Sequence, residues 1–322
     1  MQSRTMARSS IDYLVNNRLT RPMRAALERR ALVSRRVRSL ANRLYNATDD
    51  AGRQTLYERS AKIFRNHPAT FSPGTWDIDV PPFRLRMPLR GEHAWLDWDS
   101  ALSVLGHDTE VKNFYAKLLD SRFRPDVFCD IGANYGVHTA LFLSAGVPSV
   151  AFEPNPSCRP YFKLLVDLND FKDATWEEIA LGDANGNATL TYPERDTWFG
   201  SIRLDKGPDL APMENLTTRS IRIRRLDDNP IQGKRCFAKI DTEGSEIRVI
   251  RGGRTFFREQ CPFFVFESNY PAGRDEIFDE VTLLGFSVEA LPIRDIEEAA
   301  PLPRCAFIEA RGTNFLARRQ RN

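Results

Sequence analysis

The sequence predicts an α/β protein with a doubly wound parallel sheet, preceded by a helical and irregular N-terminal extension. Three observations predict this class. A glycine turn at Gly132 joins a strand pattern to a helix pattern, an acidic residue follows 21 positions later, and strand and helix patterns then alternate to the C-terminus. Ligands of such sheets bind beyond the carboxyl ends of the strands, so we expect the functional site there.

The first core strand is expected at residues 127–130, where apolar residues run into Asp130. Gly132 and Gly136 bracket the turn that follows, and apolar residues then recur at helical spacing to about residue 145. Glycine permits positive φ and the close approach of a ligand. The N-terminus of the helix presents free N–H groups, which can bind a negatively charged or carboxylate group.

The second core strand, at residues 150–153, ends in Glu153-Pro154-Asn155. An acidic residue at this point can accept hydrogen bonds from both hydroxyl groups of a ribose. The distance of Glu153 from Gly132 suits that role, because a ribose-binding acid follows such a turn by roughly 20 residues. The pair of motifs therefore predicts a cofactor that contains a ribose.

The residues of the turn favour S-adenosylmethionine over a dinucleotide. Asn134 stands where a dinucleotide-binding turn has its second glycine. Asp130 would repel a pyrophosphate but could bind the ammonium group of a methionine moiety. An NAD(P)-dependent oxidoreductase and a glycine turn without a ligand stay as alternatives.

The other core elements follow in chain order, with a helix at 157–168 and strands at 175–180, 188–192, 220–224, 236–240, 263–266, 286–290 and 314–317. Four acids, Asp130, Glu153, Asp241 and Glu267, each end a predicted strand. Because the carboxyl ends of parallel strands meet at one edge of a sheet, we expect these acids along that edge. Capping of a helix N-terminus is a competing role for each of them.

Four motifs occur in one order along the chain, and they are Asp130-Ile-Gly-Ala-Asn-Tyr-Gly136, Phe152-Glu-Pro-Asn155, Lys239-Ile-Asp-Thr-Glu-Gly-Ser-Glu246 and Val249-Ile-Arg-Gly-Gly253. Together they resemble the motifs of the FkbM family of methyltransferases, over roughly residues 110–316. The resemblance implies a class I, Rossmann-like methyltransferase fold, S-adenosylmethionine as cofactor, and methylation of oxygen, often in hydroxyl groups of sugars or natural products. Thr242 and Ser245 depart from the Val and Ala typical of the family and leave the acidic pair intact.

This resemblance and the turn chemistry assign the cofactor-binding residues. Glu153 is expected at the ribose, Asp130 and the glycine turn at the methionine end, and the region of Glu178 and Ala180 at the adenine. The full predicted set is Asp130, Gly132, Ala133, Asn134, Gly136, Thr139, Glu153, Pro154, Asn155, Glu178, Ala180 and Asp241.

Asp241 and Glu243 are the predicted catalytic residues. Methyl transfer needs the reacting groups held in line, and a hydroxyl acceptor must lose its proton to a nearby base. We expect one of the two carboxylates to orient or deprotonate the acceptor, with helix capping as the competing role of Glu243. Glu246 is interpreted as a solvated charge, and His107 and His138 are alternative bases. The segment Trp198-Phe-Gly-Ser201 is expected to line the acceptor pocket.

No metal is expected, because the histidines show no ligand spacing. A magnesium site formed by Asp241, Glu243 and Glu267 is the minor alternative. The five cysteines are widely spaced and include no C-x-x-C pair, which favours reduced thiols and a reducing compartment. No run approaches the roughly 18 apolar residues of a membrane span. A cytoplasmic enzyme is therefore the expectation.

Residues 1–46 form a basic arm with eleven arginines against two acids, and its apolar residues allow one or two amphipathic helices. Three interpretations stay open: a solvated helical arm, a surface for an anionic membrane, nucleic acid or acidic partner, and a transit sequence. Residues 47–109 are expected to form an extension that packs on the core, and residues 110–318 the methyltransferase domain. A non-catalytic binding protein that acts through the arm, and a nucleic-acid methyltransferase, are the competing functions.

Overall fold

A computed structural model of the chain describes residues 34–61, 73–90, 93–193, 201–203 and 216–320, together with Ala26 and Arg30. These residues form two compact units. The first contains the described residues up to Thr109 together with Asp167–Asp170, and the second contains the other described residues from Glu110 onward. No helix in these ranges is long and apolar enough to cross a bilayer.

The first unit consists of helices and a two-stranded hairpin. Its elements are α1 (Arg35–Ala47), α2 (Asp50–Ser60), β1 (Gly74–Val80), β2 (Phe83–Leu89) and α3 (Ala94–Gly106). Buried and exposed residues alternate along β1, as the two-residue period of a half-buried strand requires. The buried Trp76 of β1 packs on Trp98 of α3, with ring centroids 5.5 Å apart.

Helix α1 crosses the expected boundary of the basic arm at residue 46. The side-chain amides of Asn42 and Asn46 donate hydrogen bonds of 2.7 Å to the backbone carbonyls of Asp77 and Asp79 on β1. The described end of the arm therefore contacts the hairpin, whereas most of its side chains stay exposed, as a solvated helix requires. Most of the arm lies outside the described residues, so its other helices and its anionic partner stay predictions.

The second unit contains the predicted core. Its strands are β3 (Val127–Ile131), β4 (Ser149–Phe152), β5 (Ala174–Glu177), β6 (Ala180–Leu181), β7 (Gly186–Pro193), β8 (Ser201–Arg203), β9 (Leu216–Arg224), β10 (Cys236–Ile240), β11 (Phe263–Glu267), β12 (Phe286–Ala290) and β13 (Asn314–Arg319). Its helices are α4 (Thr109–Leu119), α5 (Val137–Ser144), α6 (Arg159–Leu168), α7 (Glu246–Gly252), α8 (Arg254–Gln260), α9 (Arg274–Leu283) and α10 (Arg304–Ile308).

The large sheet has seven strands in the order β12-β13-β11-β10-β3-β4-β5. β13 runs antiparallel to both of its neighbours, and the other pairs are parallel. Alternate residues of β3 face helices on opposite sides of the sheet. Phe128 stacks on Phe142 of α5 at 4.0 Å, whereas Cys129 packs in one cluster with Val249 of α7. This arrangement confirms the predicted doubly wound, Rossmann-like α/β class.

The predicted strand at 175–180 is wrong in one respect, because it is divided between two sheets. β5 forms the edge of the large sheet, whereas β6 joins a second sheet of order β6-β9-β7-β8. Ala180 packs in the core of this small sheet, and its neighbours Ile179 and Leu181 pack in the core of the large one. Successive side chains of this segment thus pack alternately in the cores of the two sheets. Because Ala180 packs in the small sheet, the chain leaves the large sheet after Glu177.

The register of the parallel strands aligns their carboxyl ends. Ile131 of β3 lies opposite Ile240 of β10 and Phe152 of β4, and Ile240 also lies opposite Phe266 of β11. The residues that directly follow these four aligned positions therefore lie in one row across the sheet, and they are Gly132, Glu153, Asp241 and Glu267. Asp130 lies one row inside the sheet, opposite Lys239 and Ala151.

A buried arginine fixes the loop that follows β11. Arg274 is 2% exposed, and its guanidinium donates hydrogen bonds to the carbonyls of Ser268 at 2.7 Å, Ala310 at 2.6 Å and Gly312 at 3.0 Å. The same group lies over the ring of Phe315, 5.0 Å from its centroid. The Arg274 side chain thus supplies hydrogen bonds to backbone carbonyl groups of this loop that would otherwise be buried without a donor.

We predict that Arg274→Ala lowers the free energy of unfolding by about 2–4 kcal/mol, because several buried carbonyls lose their donor. Urea denaturation followed by circular dichroism measures the change. Arg311→Ala is the control, because Arg311 is exposed and is expected to change stability by less than about 0.5 kcal/mol. Equal effects of the two substitutions would contradict the assigned role of Arg274.

Candidate active site

A cleft opens at the carboxyl ends of β3, β4 and β10, on the row of residues that the register aligns. It contains about 690 Å³ of space, part of which is open to solvent. Of the predicted cofactor-binding residues, those that line it are Gly132, Asn134, Glu153, Pro154, Asn155, Ala180 and Asp241. The predicted catalytic residues Asp241 and Glu243 line the same cleft.

Both glycines of the turn are required, because neighbouring atoms leave no room for a side chain at either position. Gly132 has φ +81°, and a Cβ atom there would lie 1.7 Å from the carbonyl oxygen of Asp241. Gly136 has φ +76°, and a Cβ atom there would lie 2.2 Å from the ring of Phe162. Any larger residue would clash at both positions. The turn therefore packs directly beneath the turn that carries Asp241.

Two backbone N–H groups hold the carboxylate of Glu153 in the cleft lining. One carboxylate oxygen accepts the N–H of Asn155 at 2.8 Å, and the other accepts the N–H of Asn134 at 2.9 Å. Burial raises the pKa of Glu153 to about 7, although the two hydrogen bonds oppose the shift. Each oxygen keeps a lone pair, so the carboxylate can accept two hydroxyl groups from a ligand.

Asp130 and Thr139 lie behind the turn and do not line the cleft. One oxygen of the Asp130 carboxylate accepts the backbone N–H of Thr139 at 2.9 Å and its hydroxyl at 2.6 Å. Through these hydrogen bonds Asp130 caps the first turn of α5. Asp130 is only 1% exposed, and this burial raises the pKa of its carboxyl group. Its other oxygen is buried without a hydrogen-bond partner, so this atom can accept a proton donor from a ligand or a water molecule.

Three other predicted cofactor residues also lie away from the lining. Ala133 and Gly136 are in the turn but face its inner side. Glu178 is exposed and lies 3.8 Å from Arg159 in an ion pair, instead of bordering the cleft. In this region the residues that line the cleft are Ile179, Ala180 and Leu181.

One wall of the cleft is apolar, and the sequence did not predict it. Phe152, Ile179 and Leu181 come from the end of β4 and the region of β6, and Leu190 comes from β7 of the small sheet. All four residues are buried. Such a wall suits a planar, weakly polar group such as a purine ring. The apolar run at residues 179–181 indicated a buried strand, but no local pattern marks Leu190.

The turn after β10 places two carboxylates at the mouth of the cleft. Glu243 has φ +53°, an uncommon conformation for a residue other than glycine or asparagine, and Gly244 follows with φ +106°. Partial burial, and then the carboxylates of Asp241 and Glu246, raise the pKa of Glu243 to about 7. Because the side chain is still exposed to solvent, its charge is partly screened.

Glu246 is buried, so its interpretation as a solvated charge is wrong. Its carboxylate accepts the backbone N–H and the hydroxyl of Thr242, each at 2.9 Å, and the N–H of Gly244 at 3.0 Å. Glu246 therefore closes the turn in which Glu243 lies, and Glu243 is not the capping residue. The hydroxyl of Thr242 adds a hydrogen bond that the valine typical of the FkbM pattern could not make.

The alternative bases and ligands lie as follows. Neither His138 nor His107 lines the cleft. His138 lies 3.1 Å from the hydroxyl of Tyr115, and His107 lies 3.2 Å from the carboxylate of Asp108 in the first unit. Carboxylate oxygens of Asp241, Glu243 and Glu267 lie within 4.8 Å of one another. Residues 198–200, expected in the acceptor pocket, lie outside the described residues, and of Ser201 only the backbone is described.

Solved structures similar to the chain are methyltransferases. Methyltransferase FkbM from Methylobacillus flagellatus KT is 15% identical, with 70% of this chain and 54% of that chain covered and a TM-score of 0.38. Ribosomal protein L11 methylase from Lactobacillus delbrueckii subsp. bulgaricus is 10% identical, with coverage of 67% and 80% and a TM-score of 0.37. The N-terminal domain of human METTL16, in complex with SAH, is 11% identical, with coverage of 65% and 68% and a TM-score of 0.34.

The chain spans about half the length of the Methylobacillus protein. None of the curated proteins compared with the chain matches it. Residues 130–294, just over half of the chain, match the family model described as Methyltransferase FkbM domain. The matched segment contains the glycine turn, Glu153 and the turn from Asp241 to Glu246. The chain belongs to the FkbM family of methyltransferases.

Proposed function

We propose that this protein transfers a methyl group from S-adenosylmethionine to a hydroxyl group of a sugar, glycan or natural-product acceptor. One observation carries the proposal. Glu153, which is suited to a ribose, and Glu243, whose pKa of about 7 suits a general base, line the same cleft. A cofactor-binding acid and a candidate base are thus within one small-molecule site.

The residues of the cleft fit the cofactor. The two oxygens of Glu153 each keep a lone pair for a ribose hydroxyl. The wall that includes Phe152, Leu181 and Leu190 offers an apolar surface to an adenine. The unpartnered oxygen of Asp130 can accept the methionine ammonium, through a water molecule if the two do not touch. When bound, S-adenosylmethionine supplies an electrophilic methyl group on a sulfonium.

Asp241 and Glu243 have different roles in this proposal. A base is most effective when its pKa lies near the operating pH, and that of Glu243 is about 7. Glu243 therefore accepts the proton of the acceptor hydroxyl. Asp241 is held by an ion pair of 2.7 Å to Lys239, which fixes its carboxylate, so it orients a ligand in the cleft.

We predict that affinity for S-adenosylmethionine rises with pH through about 7. Because burial raises the pKa of Glu153, the carboxyl is protonated below that pH and must lose its proton to accept both ribose hydroxyls. Affinity then falls by up to about tenfold per pH unit below 7. Isothermal titration with S-adenosylmethionine between pH 5.5 and 8.5 measures this dependence.

Glu153→Gln is expected to bind at least about tenfold more weakly at pH 8 and to lose the pH dependence. Glu177→Gln is the matched control, because Glu177 is exposed and lies outside the cleft lining. Unchanged affinity in Glu153→Gln would remove the ribose role. Absence of binding by the wild-type protein, or preference for NAD(P)H, would overturn the proposed cofactor.

We predict that Glu243→Gln lowers the turnover number by about 100-fold or more, while affinity for S-adenosylmethionine changes by less than about threefold. Transfer of a labelled methyl group to a panel of glycans and hydroxylated natural products measures turnover. In the wild-type protein turnover should rise with pH through about 7, as Glu243 loses its proton. Near-normal turnover in the variant would contradict the role of Glu243, and wild-type binding without transfer to any acceptor would favour a non-catalytic binding protein.

Chelation of divalent ions should leave this turnover unchanged. Asp241 already pairs with an internal cation, the ammonium of Lys239, at 2.7 Å. Dialysis against EDTA, with and without restored magnesium, makes the measurement. Activity that disappears with EDTA and returns with magnesium would instead show that Asp241, Glu243 and Glu267 bind a metal.

A further inference from the structure

Lys239 is a buried cation that the sequence analysis assigned no role. It lies near the end of β10 and is 2% exposed, although lysine is almost never fully buried unless it is paired. Its ammonium donates to a carboxylate oxygen of Asp241 at 2.7 Å. The Asp241 side chain is itself 27% exposed and lines the cleft. The pair therefore joins the interior of the sheet to the surface that a ligand would touch.

The sheet register places Lys239 near acidic groups at the ends of two neighbouring strands. Its partner on β3 is Asp130, which is 1% exposed. Its own strand leads into Asp241 and Glu243. Lys239 opposes the rise that burial produces in the pKa of Asp130, and it does the same for Glu243. One ammonium therefore acts on several carboxylates that would otherwise repel one another.

Asp241 is the route by which Lys239 can influence the cleft. The backbone N–H of Asp241 donates to the carbonyl of Ile131 at 2.9 Å, and its own carbonyl is in closest contact with Gly132. Its side chain leads back to Lys239, because residues two apart on a strand share one face. The backbone of Asp241 is thus fixed by β3 and its carboxylate by Lys239.

We propose that Lys239 is a positioning residue of the active site, which holds the Asp241 carboxylate against the cleft wall and balances the negative charge of its neighbours. It does not touch the ligand and acts through Asp241. The inference rests on the proposed function, because it assumes that Asp241 orients a ligand in this cleft. Burying an ammonium group costs free energy unless the group is paired. Substitution of one member of the ion pair alone is therefore expected to destabilise the site more than substitution of both.

A double-mutant cycle tests the proposal. Affinity for S-adenosylmethionine is measured at pH 8 by isothermal titration for the wild-type protein, Lys239→Met, Asp241→Asn and the double variant. Lys239→Met is expected to weaken binding by at least about tenfold, because it leaves the Asp241 carboxylate without its cation. On the Asp241→Asn background the same substitution should cost less than about threefold, because the group on which Lys239 acts is already neutral.

Lys239→Arg keeps the charge and should recover part of the affinity that Lys239→Met loses; recovery is incomplete because the larger guanidinium must fit a site that is 2% exposed. A second readout is the pH dependence of methyl transfer. Its midpoint should move upward by about half a pH unit or more in Lys239→Met, because Glu243 loses a nearby positive charge. A purely structural role of the lysine side chain would not move this midpoint.

The outcomes separate this inference from the proposed function. If the wild-type protein does not bind S-adenosylmethionine, both are overturned. If it binds but Lys239→Met costs the same on both backgrounds, or nothing on either, only the role of Lys239 is overturned. If Lys239→Met does not fold, thermal melting of the double variant is the deciding measurement. Recovery of folding on the Asp241→Asn background would support the ion pair between Lys239 and Asp241, and failure to recover would contradict it.

Discussion

The structure of the site depends on the close approach of Gly132 to the carbonyl of Asp241. The turns after β3 and β10 are in contact there, and no side chain larger than hydrogen fits between them. This contact sets the position of Asp241 on one side. On the other side it sets the path of the turn to Asn134, whose N–H fixes Glu153. One steric constraint between neighbouring strands thus bears on the positions of both Asp241 and Glu153.

The same small volume concentrates negative charge, and the fold offsets it in different ways. Glu153 is stabilised by two backbone N–H groups, Asp241 by an ammonium, and Glu246 by the donors of its own turn. Glu243 keeps the most contact with solvent and also accepts a hydrogen bond from Asn269. Carboxylates with such different surroundings can take different roles in one reaction, because environment determines which of them exchanges a proton near neutral pH.

Local sequence predicted the parts of the site that depend on short-range geometry. The strand, turn and helix around Gly132 have a fixed spacing, and the acid after the second strand follows at a fixed distance, so both could be located. The apolar wall could not, because Leu190 comes to the cleft from another sheet. The burial of Glu246 depends on a turn that folds its carboxylate back on Thr242, which no periodicity reveals. For Lys239 a signal existed, since it precedes Asp241 by two residues on a strand.

The left-handed backbone of Glu243 has a consequence for the stability of the protein. A residue of this type at φ +53° costs free energy, on the order of 1 kcal/mol, that glycine would not. The surrounding turn, closed by Glu246, imposes this conformation on it. Glycine at this position would avoid that cost and would also remove the proposed base. The role proposed for Glu243 therefore implies a trade-off between stability and activity at a single residue.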